Sequence, residues 1–215
     1  MMLIAKGAEA DLYEAEYSEI FFPSNSFDRI VLKRRIPKGY RIPRLDQQLR
    51  RSRTISEAKI ILDSRQAGAN VPFLLGVWTD SCTLVMEMIR GTRLKELLSS
   101  DIGAGIEVCR KAGAQLGMLH SAGVVHGDPT TSNMICKEGS VYLIDFGLAE
   151  YSESIEKRAI DLHLLKTALK STHFDHFREY LEAVLDGYRR EMGEMSREIE
   201  ARCTSIEKRG RYVER

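Results

Sequence analysis

An aspartate at 128, an asparagine at 133 and a second aspartate at 145 stand in an order and spacing that suit phosphoryl transfer from a magnesium-bound nucleotide. They lie in His126-Gly127-Asp128-Pro129-Thr130-Thr131-Ser132-Asn133 and in Ile144-Asp145-Phe146-Gly147. In that chemistry Asp128 faces the attacking hydroxyl, while Asn133 and Asp145 hold the Mg²⁺ ions that neutralise charge on the phosphates. Aspartate and asparagine also mark ordinary turns. All three in order, beside an intact Asp-Phe-Gly, point instead to an ATP site.

These side chains need elements to hold them. Met134-Ile135-Cys136 and Val141-Tyr142-Leu143-Ile144 are short apolar runs split by Lys137-Glu138-Gly139-Ser140, which predicts a hairpin. Asn133 and Asp145 then flank its open end and converge on one cation. Upstream, Ile30-Val31-Leu32-Lys33 predicts a strand whose alternation puts Lys33 on the face of Val31. An inward lysine needs an anionic partner, and between Lys33 and Glu87 the only glutamate is Glu57. Glu57 falls in a stretch with Ile55, Ala58, Ile61 and Leu62 at helical spacing, ending at Gly68. Glu57 on that helix would orient Lys33 toward the α- and β-phosphates; a solvated glutamate paired with Arg53 one turn back is the plainer alternative.

The composition suits one compact domain, with room for two lobes: 215 residues, 43% hydrophobic and 29% charged. A formal net charge of +1 gives no global case for nucleic acid or membrane. Four cysteines, without a Cys-x-x-Cys pair, argue against zinc or a disulfide framework and suit a reducing cytoplasm. No apolar run reaches membrane-spanning length, and Met1-Met2-Leu3-Ile4-Ala5 is too short for a signal-peptide core, so a soluble, cytoplasmic protein is expected.

The N-terminal part reads as a small sheet with one helix. Leu12–Tyr17 and Arg29–Arg34 are predicted strands around a loop with Pro23, Ser24, Asn25 and Ser26. Gly7, Ala8, Glu9 and Ala10 precede them where a kinase carries its phosphate loop; Gly7 alone keeps that pattern, and the residues equally allow an ordinary turn. Glu9 beside phosphates is repulsive unless a cation intervenes. A second hairpin, Phe73–Trp78 with Thr83–Met88, leads into Glu87-Met88-Ile89-Arg90-Gly91. That exit sits where kinases connect their lobes, and by that likeness the backbone of Glu87 and Ile89 would bond adenine, with Met86 behind; a methionine at that position serves a plain core as well.

The C-terminal part is helical. Leu94-Leu97-Leu98 and Ile106, Cys109, Ala112, Gly113, Leu116, Leu119 repeat at helical period, the second helix ending at Ser121-Ala122-Gly123. After Gly147 there is no Ala-Pro-Glu and no proline beyond Pro129; the chain runs through Ser152, Glu153 and Ser154 into Ile160–Leu165 and two further charged helices. Gly127 replaces the arginine of His-Arg-Asp, and Thr130 the lysine two residues past the catalytic aspartate. ATP-handling parts are therefore present, while those that dock and regulate a peptide substrate are missing or altered.

His126-Gly127-Asp128-x-Thr130-Thr131-Ser132-Asn133-Met134 with Ile144-Asp145-Phe146-Gly147-Leu148 resembles the small atypical kinase subunits of KEOPS (EKC) complexes. The likeness extends to Gly7-Ala8-Glu9-Ala10, Tyr40-Arg41-x-Pro43-x-Leu45-Asp46, Arg53-x-x-x-Glu57-Ala58 and Asp161-Leu162, and so to almost the whole chain. RIO kinases and small-molecule phosphotransferases usually lack the intact Asp-Phe-Gly. Pro129 departs from the usual leucine and disfavours helical geometry at Asp128.

The resemblance implies an α+β, bilobal protein-kinase-like fold over residues 1–207, with an N-lobe over about 1–88, a truncated helical C-lobe over about 91–207, and a basic tail at 208–215. It implies ATP and Mg²⁺ as cofactors, Asp128 as the catalytic residue and Asn133 and Asp145 as metal ligands. ATP binding falls to Gly7, Ala8, Glu9, Ala10, Lys33, Glu57, Met86, Glu87 and Ile89. Such subunits phosphorylate themselves or serine in isolation, act mainly as ATPases in their complex, and support threonylcarbamoyladenosine formation on tRNA. The implied partners are an ASKHA-fold transferase subunit, bound through the C-lobe and basic tail, and a small regulatory subunit on the N-lobe. A stand-alone serine/threonine kinase, and a nucleotide-binding pseudoenzyme or RNA-binding module without turnover, are the alternatives; the missing Ala-Pro-Glu weighs against the first and the complete residue set against the second. From Lys33 to Arg53 nine cations face Asp46 alone, and tRNA phosphate contacts are expected there, Arg41, Arg50 and Arg51 among them. A solvated charged surface is the alternative for that cluster and for the tail.

Overall fold

The computed structural model describes residues 1–21, 28–99 and 102–213, with side chains as far as Arg209. The loop expected at Pro23 to Ser26 lies outside the described residues. The chain divides into two compact units: residues 1–62 with 72–89, and residues 63–71 with 90–215.

The first unit is an antiparallel sheet with one long helix. Its strands are β1 (Met2–Lys6), β2 (Ala10–Glu16), β3 (Arg29–Arg35), β4 (Leu74–Trp78) and β5 (Thr83–Glu87), in the order β1-β2-β3-β5-β4. β1 is not expected from sequence: its five residues are all exposed, so no apolar-in, polar-out signal marks it. On one face Ala15, Ile30, Leu32 and Val85 are buried, with Tyr13, Tyr17, Phe21 and Leu75 packed against them. The alternation that buries Ile30 and Leu32 there turns Val31, Lys33 and Arg35 to the other face. Val31 pairs with Met86 and Lys33 with Leu84, so Met86 and Lys33 share that face.

Helix α1 (Pro43–Gln66) is 24 residues long and opens on proline, whose fixed φ suits a first turn. It begins twelve residues before the predicted periodic run because its first turns carry mostly exposed side chains. Asp46, Thr54, Glu57, Ala58, Ile60, Ile61 and Ser64 are its buried residues. Leu62, expected in the apolar stripe, is exposed. Beyond the helix Ala69 N–H donates back to the Ser64 carbonyl at 3.0 Å and Gly68 takes a φ of 93°, which stops the helix at the expected glycine.

The second unit holds β6 (Thr92–Arg93), α2 (Leu94–Leu97), α3 (Ile102–Ser121), β7 (Val124–Val125), β8 (Met134–Lys137), β9 (Ser140–Leu143), β10 (Glu150–Tyr151), α4 (Ile155–Thr172), α5 (Phe177–Met192) and α6 (Met195–Val213). α3 packs on α5 and α4 on α6, around buried Leu116, Leu119, Leu162, Leu165, Tyr180 and Tyr188. β6, β8 and β9 form one small sheet, β7 and β10 another. The predicted hairpin is β8–β9; Glu138 and Gly139 both take positive φ, 50° and 76°, the turn that matches strand twist. The basic segment expected as a tail from Lys208 is helical through Val213, as the end of α6. Among the described residues no helix is long and apolar enough to cross a membrane.

Candidate active site

In the second unit the site is built on one loop and one hairpin. Met134 pairs with Leu143 at the open end of β8–β9, and just beyond, Ile144 N–H donates to the Asn133 carbonyl at 2.9 Å. Asp145 is the next residue. Its φ of 64° is left-handed, a conformation that aspartate tolerates better than most side chains, and its carboxylate accepts from Gly147 N–H at 3.3 Å. The predicted flanking of the hairpin mouth by Asn133 and Asp145 is what the backbone provides.

Asn133 also fixes Asp128. Its Nδ2 donates to the Asp128 carbonyl at 3.0 Å and to Asp128 Oδ2 at 2.8 Å. Both partners are acceptors, so the amide has one orientation, and its Oδ1 points away from Asp128. Pro129 leaves its mark between them: Thr130 N–H donates to the Asp128 carbonyl at 2.9 Å, an i to i+2 bond whose central residue has the φ proline enforces. The proline thus sets the loop as a tight turn, with the Asp128 carboxylate still on Asn133.

Buried groups that sequence reasoning passed over hold this loop from behind. His126 is fully buried against Phe146, ring centroids 4.8 Å apart. Its Nε2 donates to the Ile144 carbonyl at 3.2 Å, while Nδ1 accepts from Asp128 N–H at 3.3 Å. Those partners require the neutral ring, and burial holds its pKa below the ordinary imidazole value. Asp161, in α4, accepts from His126 N–H at 2.6 Å and Gly127 N–H at 2.9 Å. The same carboxylate takes His120 Nε2 at 3.2 Å, and His120 Nδ1 meets the Tyr188 hydroxyl at 2.7 Å. Burial lowers the pKa of His120 too, favouring the neutral ring that donates from Nε2 to the carboxylate and accepts from the Tyr188 hydroxyl at Nδ1. Asp161-Leu162 is visible in the sequence only through a family resemblance, because a buried aspartate on a helix has no local signature.

The segment after Gly147 is short and fastened down. Glu150 and Tyr151 pair with Val125 and Val124, and Ser152 N–H donates to the Gly123 carbonyl at 2.8 Å. The Tyr151 hydroxyl donates to Asp63 at 2.5 Å, and burial together with that carboxylate pushes its pKa up to about 12. Ser154 then caps α4.

In the first unit Lys33 Nζ lies 2.5 Å from Glu57 Oε1. Lys33 is 8% exposed and Glu57 3%, so the solvated alternative for Glu57 does not hold. Arg53, its alternative partner, instead meets Glu9 at 3.0 Å. This places a cation beside the carboxylate that looks out of place in a phosphate loop, and Lys38 adds a hydrogen bond to the Ala8 carbonyl. Gly7 N–H donates to the Ala10 carbonyl at 3.0 Å, and a Cβ on Gly7 would lie 2.7 Å from that oxygen, so the turn needs glycine. One residue is not signalled by the sequence: Arg35 Nη2 lies 2.5 Å from Glu57 Oε2.

At the exit of β5 Glu87 N–H is already given to the Phe73 carbonyl at 2.8 Å. The Glu87 N–H is therefore not available to a purine. Among the described residues no backbone bond takes up the Ile89 N–H, although Ile89 is buried. Met86 is buried, which suits a pocket-lining and a plain core methionine alike.

Comparison with known proteins agrees with this picture. Residues 38–174 match the protein kinase domain. The chain is 50% identical over 217 residues to KEOPS complex subunit Bud32 of Pyrococcus abyssi (strain GE5 / Orsay), spanning all of this chain and 98% of that protein. It is 41% identical over 188 residues to the probable serine/threonine-protein kinase BUD32 homolog of Archaeoglobus fulgidus, across 87% of this chain and 91% of that one. It is 40% identical over 212 residues to a probable bifunctional tRNA threonylcarbamoyladenosine biosynthesis protein of Methanothermobacter thermautotrophicus, where 99% of this chain matches only 37% of that longer protein.

Proposed function

The chain belongs to the Bud32 family of atypical protein kinases, and from that premise we propose that it is the ATP-hydrolysing kinase subunit of a KEOPS complex, supporting threonylcarbamoyladenosine modification of tRNA. The observation that carries this reading is the pairing of an intact phosphoryl-transfer set with a short, fastened segment after Asp-Phe-Gly. The kinase fold implies ATP as the phosphoryl donor. The longer relatives, whose names join this part to tRNA threonylcarbamoyladenosine synthesis, favour the complex over a stand-alone protein kinase.

Asp128 spends Oδ2 on the Asn133 amide, which leaves Oδ1 to accept the proton of the attacking group, a seryl hydroxyl or water. The difference between kinase and ATPase is only which of these reaches the γ-phosphate. Asn133 Oδ1 and the Asp145 carboxylate are the proposed Mg²⁺ ligands. They fit a hard cation, being oxygen donors, and among the described residues no cluster of three His, Cys, Asp or Glu could hold a metal alone. Magnesium characteristically binds through one or two side chains plus substrate phosphates, and when bound it would neutralise their charge. In the first unit Lys33 would bind the α- and β-phosphates, the Gly7–Ala10 turn would cover them, and the Glu87 carbonyl and Ile89 N–H would receive adenine beside Met86.

The transferase partner would dock on the second unit and the end of α6, a small regulatory subunit on the first, with tRNA joining the assembly. Four free, buried cysteines support a reducing, cytoplasmic setting. The test is phosphate release from Mg-ATP by the purified chain, alone and with an ASKHA-fold transferase and tRNA. A rise on assembly is expected; serine phosphorylation of unrelated proteins with no rise would favour the stand-alone kinase.

A further inference from the structure

Glu57 is shared. Its Oε1 takes Lys33 Nζ and its Oε2 takes Arg35 Nη2, each at 2.5 Å. Lys33 and Arg35 are two apart on β3, so strand alternation points both to the face that α1 covers. Arg35 is 3% exposed, more deeply buried than Lys33, and its backbone N–H is tied to the Cys82 carbonyl at 3.0 Å. A second buried cation is a costly way to fill this space. Lys33 already partners Glu57, and an apolar side chain of similar volume usually packs at least as well as a buried charge. Its presence needs a reason beyond packing.

The chemistry of the lysine supplies one. When Lys33 turns donors toward phosphate oxygens, its hold on Glu57 weakens, and a carboxylate with no other partner is free to rotate away. The planar guanidinium on Oε2 keeps the carboxylate plane fixed through that exchange. We propose that Arg35 is a positioning residue that holds Glu57 aligned with Lys33 both before and after nucleotide binds, so that the lysine is set without a phosphorylated activation segment. The inference rests on the reading of Lys33 as the phosphate-binding lysine. It also accounts for a site that lacks the arginine of His-Arg-Asp, since the pair such an arginine helps to regulate is here clamped from within its own sheet.

The experiment measures kcat and KM for Mg-ATP hydrolysis in Arg35→Met, Arg35→Lys, Lys33→Met and the Lys33→Met/Arg35→Met double variant, with thermal midpoints recorded in parallel. Arg35→Met is expected to lower kcat/KM about tenfold or more, within the range for directly coupled side chains. Arg35→Lys, which keeps a cation within reach of Oε2, restores most of it. In the Lys33→Met background Arg35→Met has little further effect, because the residue it acts through is gone. Equal losses from Arg35→Met in both backgrounds, or an unchanged kcat/KM in Arg35→Met alone, would overturn the proposal and leave Arg35 a structural cation. Should Arg35→Met not fold, the comparison passes to Arg35→Gln and Arg35→Lys: equal activity in those two overturns it as well. If Lys33→Met itself retained full activity, the failure would lie with the nucleotide-site reading instead.

Discussion

Gly127 faces the carbonyl of Leu148 so closely that a Cβ at 127 would lie 2.5 Å from that oxygen, and its φ of 81° is left-handed. The arginine that usually stands between histidine and aspartate is therefore excluded by backbone, and cannot be restored by substitution. Gly127→Ala is expected to destabilise the protein by about 1–3 kcal/mol, the usual cost of a strained backbone conformation, with Gly127→Arg worse. Thermal or urea denaturation checks this; a Gly127→Arg protein as stable as the parent would refute it.

Asp145→Ala and Asp128→Ala should separate binding from turnover. The first removes a proposed metal ligand and should weaken Mg-ATP binding and abolish hydrolysis. The second should bind nucleotide nearly normally but turn it over at least about 100-fold more slowly, the lower range for a proton-accepting group. Calorimetric Mg-ATP affinity beside single-turnover rates distinguishes them, and normal turnover in Asp145→Ala would sink the site assignment.

Removing Asp161 strips the acceptor from His126 N–H, Gly127 N–H and His120 together. Hydrogen bonds to a charged group are worth about 1.5–3 kcal/mol each, so Asp161→Ala should cost on the order of 3 kcal/mol or more. Turnover measured well below the midpoint should fall too, because the loop carrying Asp128 loses its backing. A shift in stability with unchanged kcat would make Asp161 purely structural.

Acid should expose the buried histidines. Burial lowers the pKa of both His120 and His126 in the folded protein, so the unfolded chain binds protons that the native state refuses. The two states differ little above the unfolded pKa near 6.5; below it stability falls by up to about 1.4 kcal/mol per pH unit for each histidine, until the folded pKa is reached. His120→Asn should flatten the decline below that pH by one proton's worth. An unaltered slope in denaturation series across that range would show that His120 is charged in the native state.

What is legible in the sequence follows the range of the interactions. Lys33, Glu57, Asn133 and Asp145 are readable because strand alternation, helical period and a hairpin turn are local, and each puts its side chain in a foreseeable direction. Arg35 escapes notice although it obeys the same alternation, since a cation beside a cation looks like solvated surface until its carboxylate is located. Asp161, His120 and Tyr188 cannot be assembled from spacing at all; His120 and Tyr188 are 68 residues apart. Leu62 misleads because it is apolar on a helix whose buried face includes Thr54, Glu57 and Ser64. β1 gives no signal because an exposed edge strand has no burial pattern to impose.

The basic stretch from Lys33 to Arg53 is less uniform than its composition suggests, and its arginines should separate by experiment. Arg50 Nε lies 2.6 Å from Asp46 and Arg41 Nη1 3.6 Å from it, and Asp46 is 3% exposed. Both arginines, expected to meet phosphates, are thus committed to a buried carboxylate. Arg34, Arg44 and Arg51 are exposed, and no carboxylate is paired with them among the described residues. If this surface meets tRNA, replacing those three by alanine should weaken binding without sequence preference. The log–log salt dependence should flatten by about 0.9 for each duplex phosphate that is no longer neutralised. Arg50→Ala should do the opposite: leave the salt slope nearly unchanged but lower stability, because Asp46 is left with only the Lys38 N–H and the more distant Arg41. Filter binding across a salt series, paired with denaturation of the same variants, reads both. An unchanged slope in the triple variant would return the exposed arginines to plain solvated surface, and a slope that falls in Arg50→Ala would mean that Asp46 yields its arginine to phosphate.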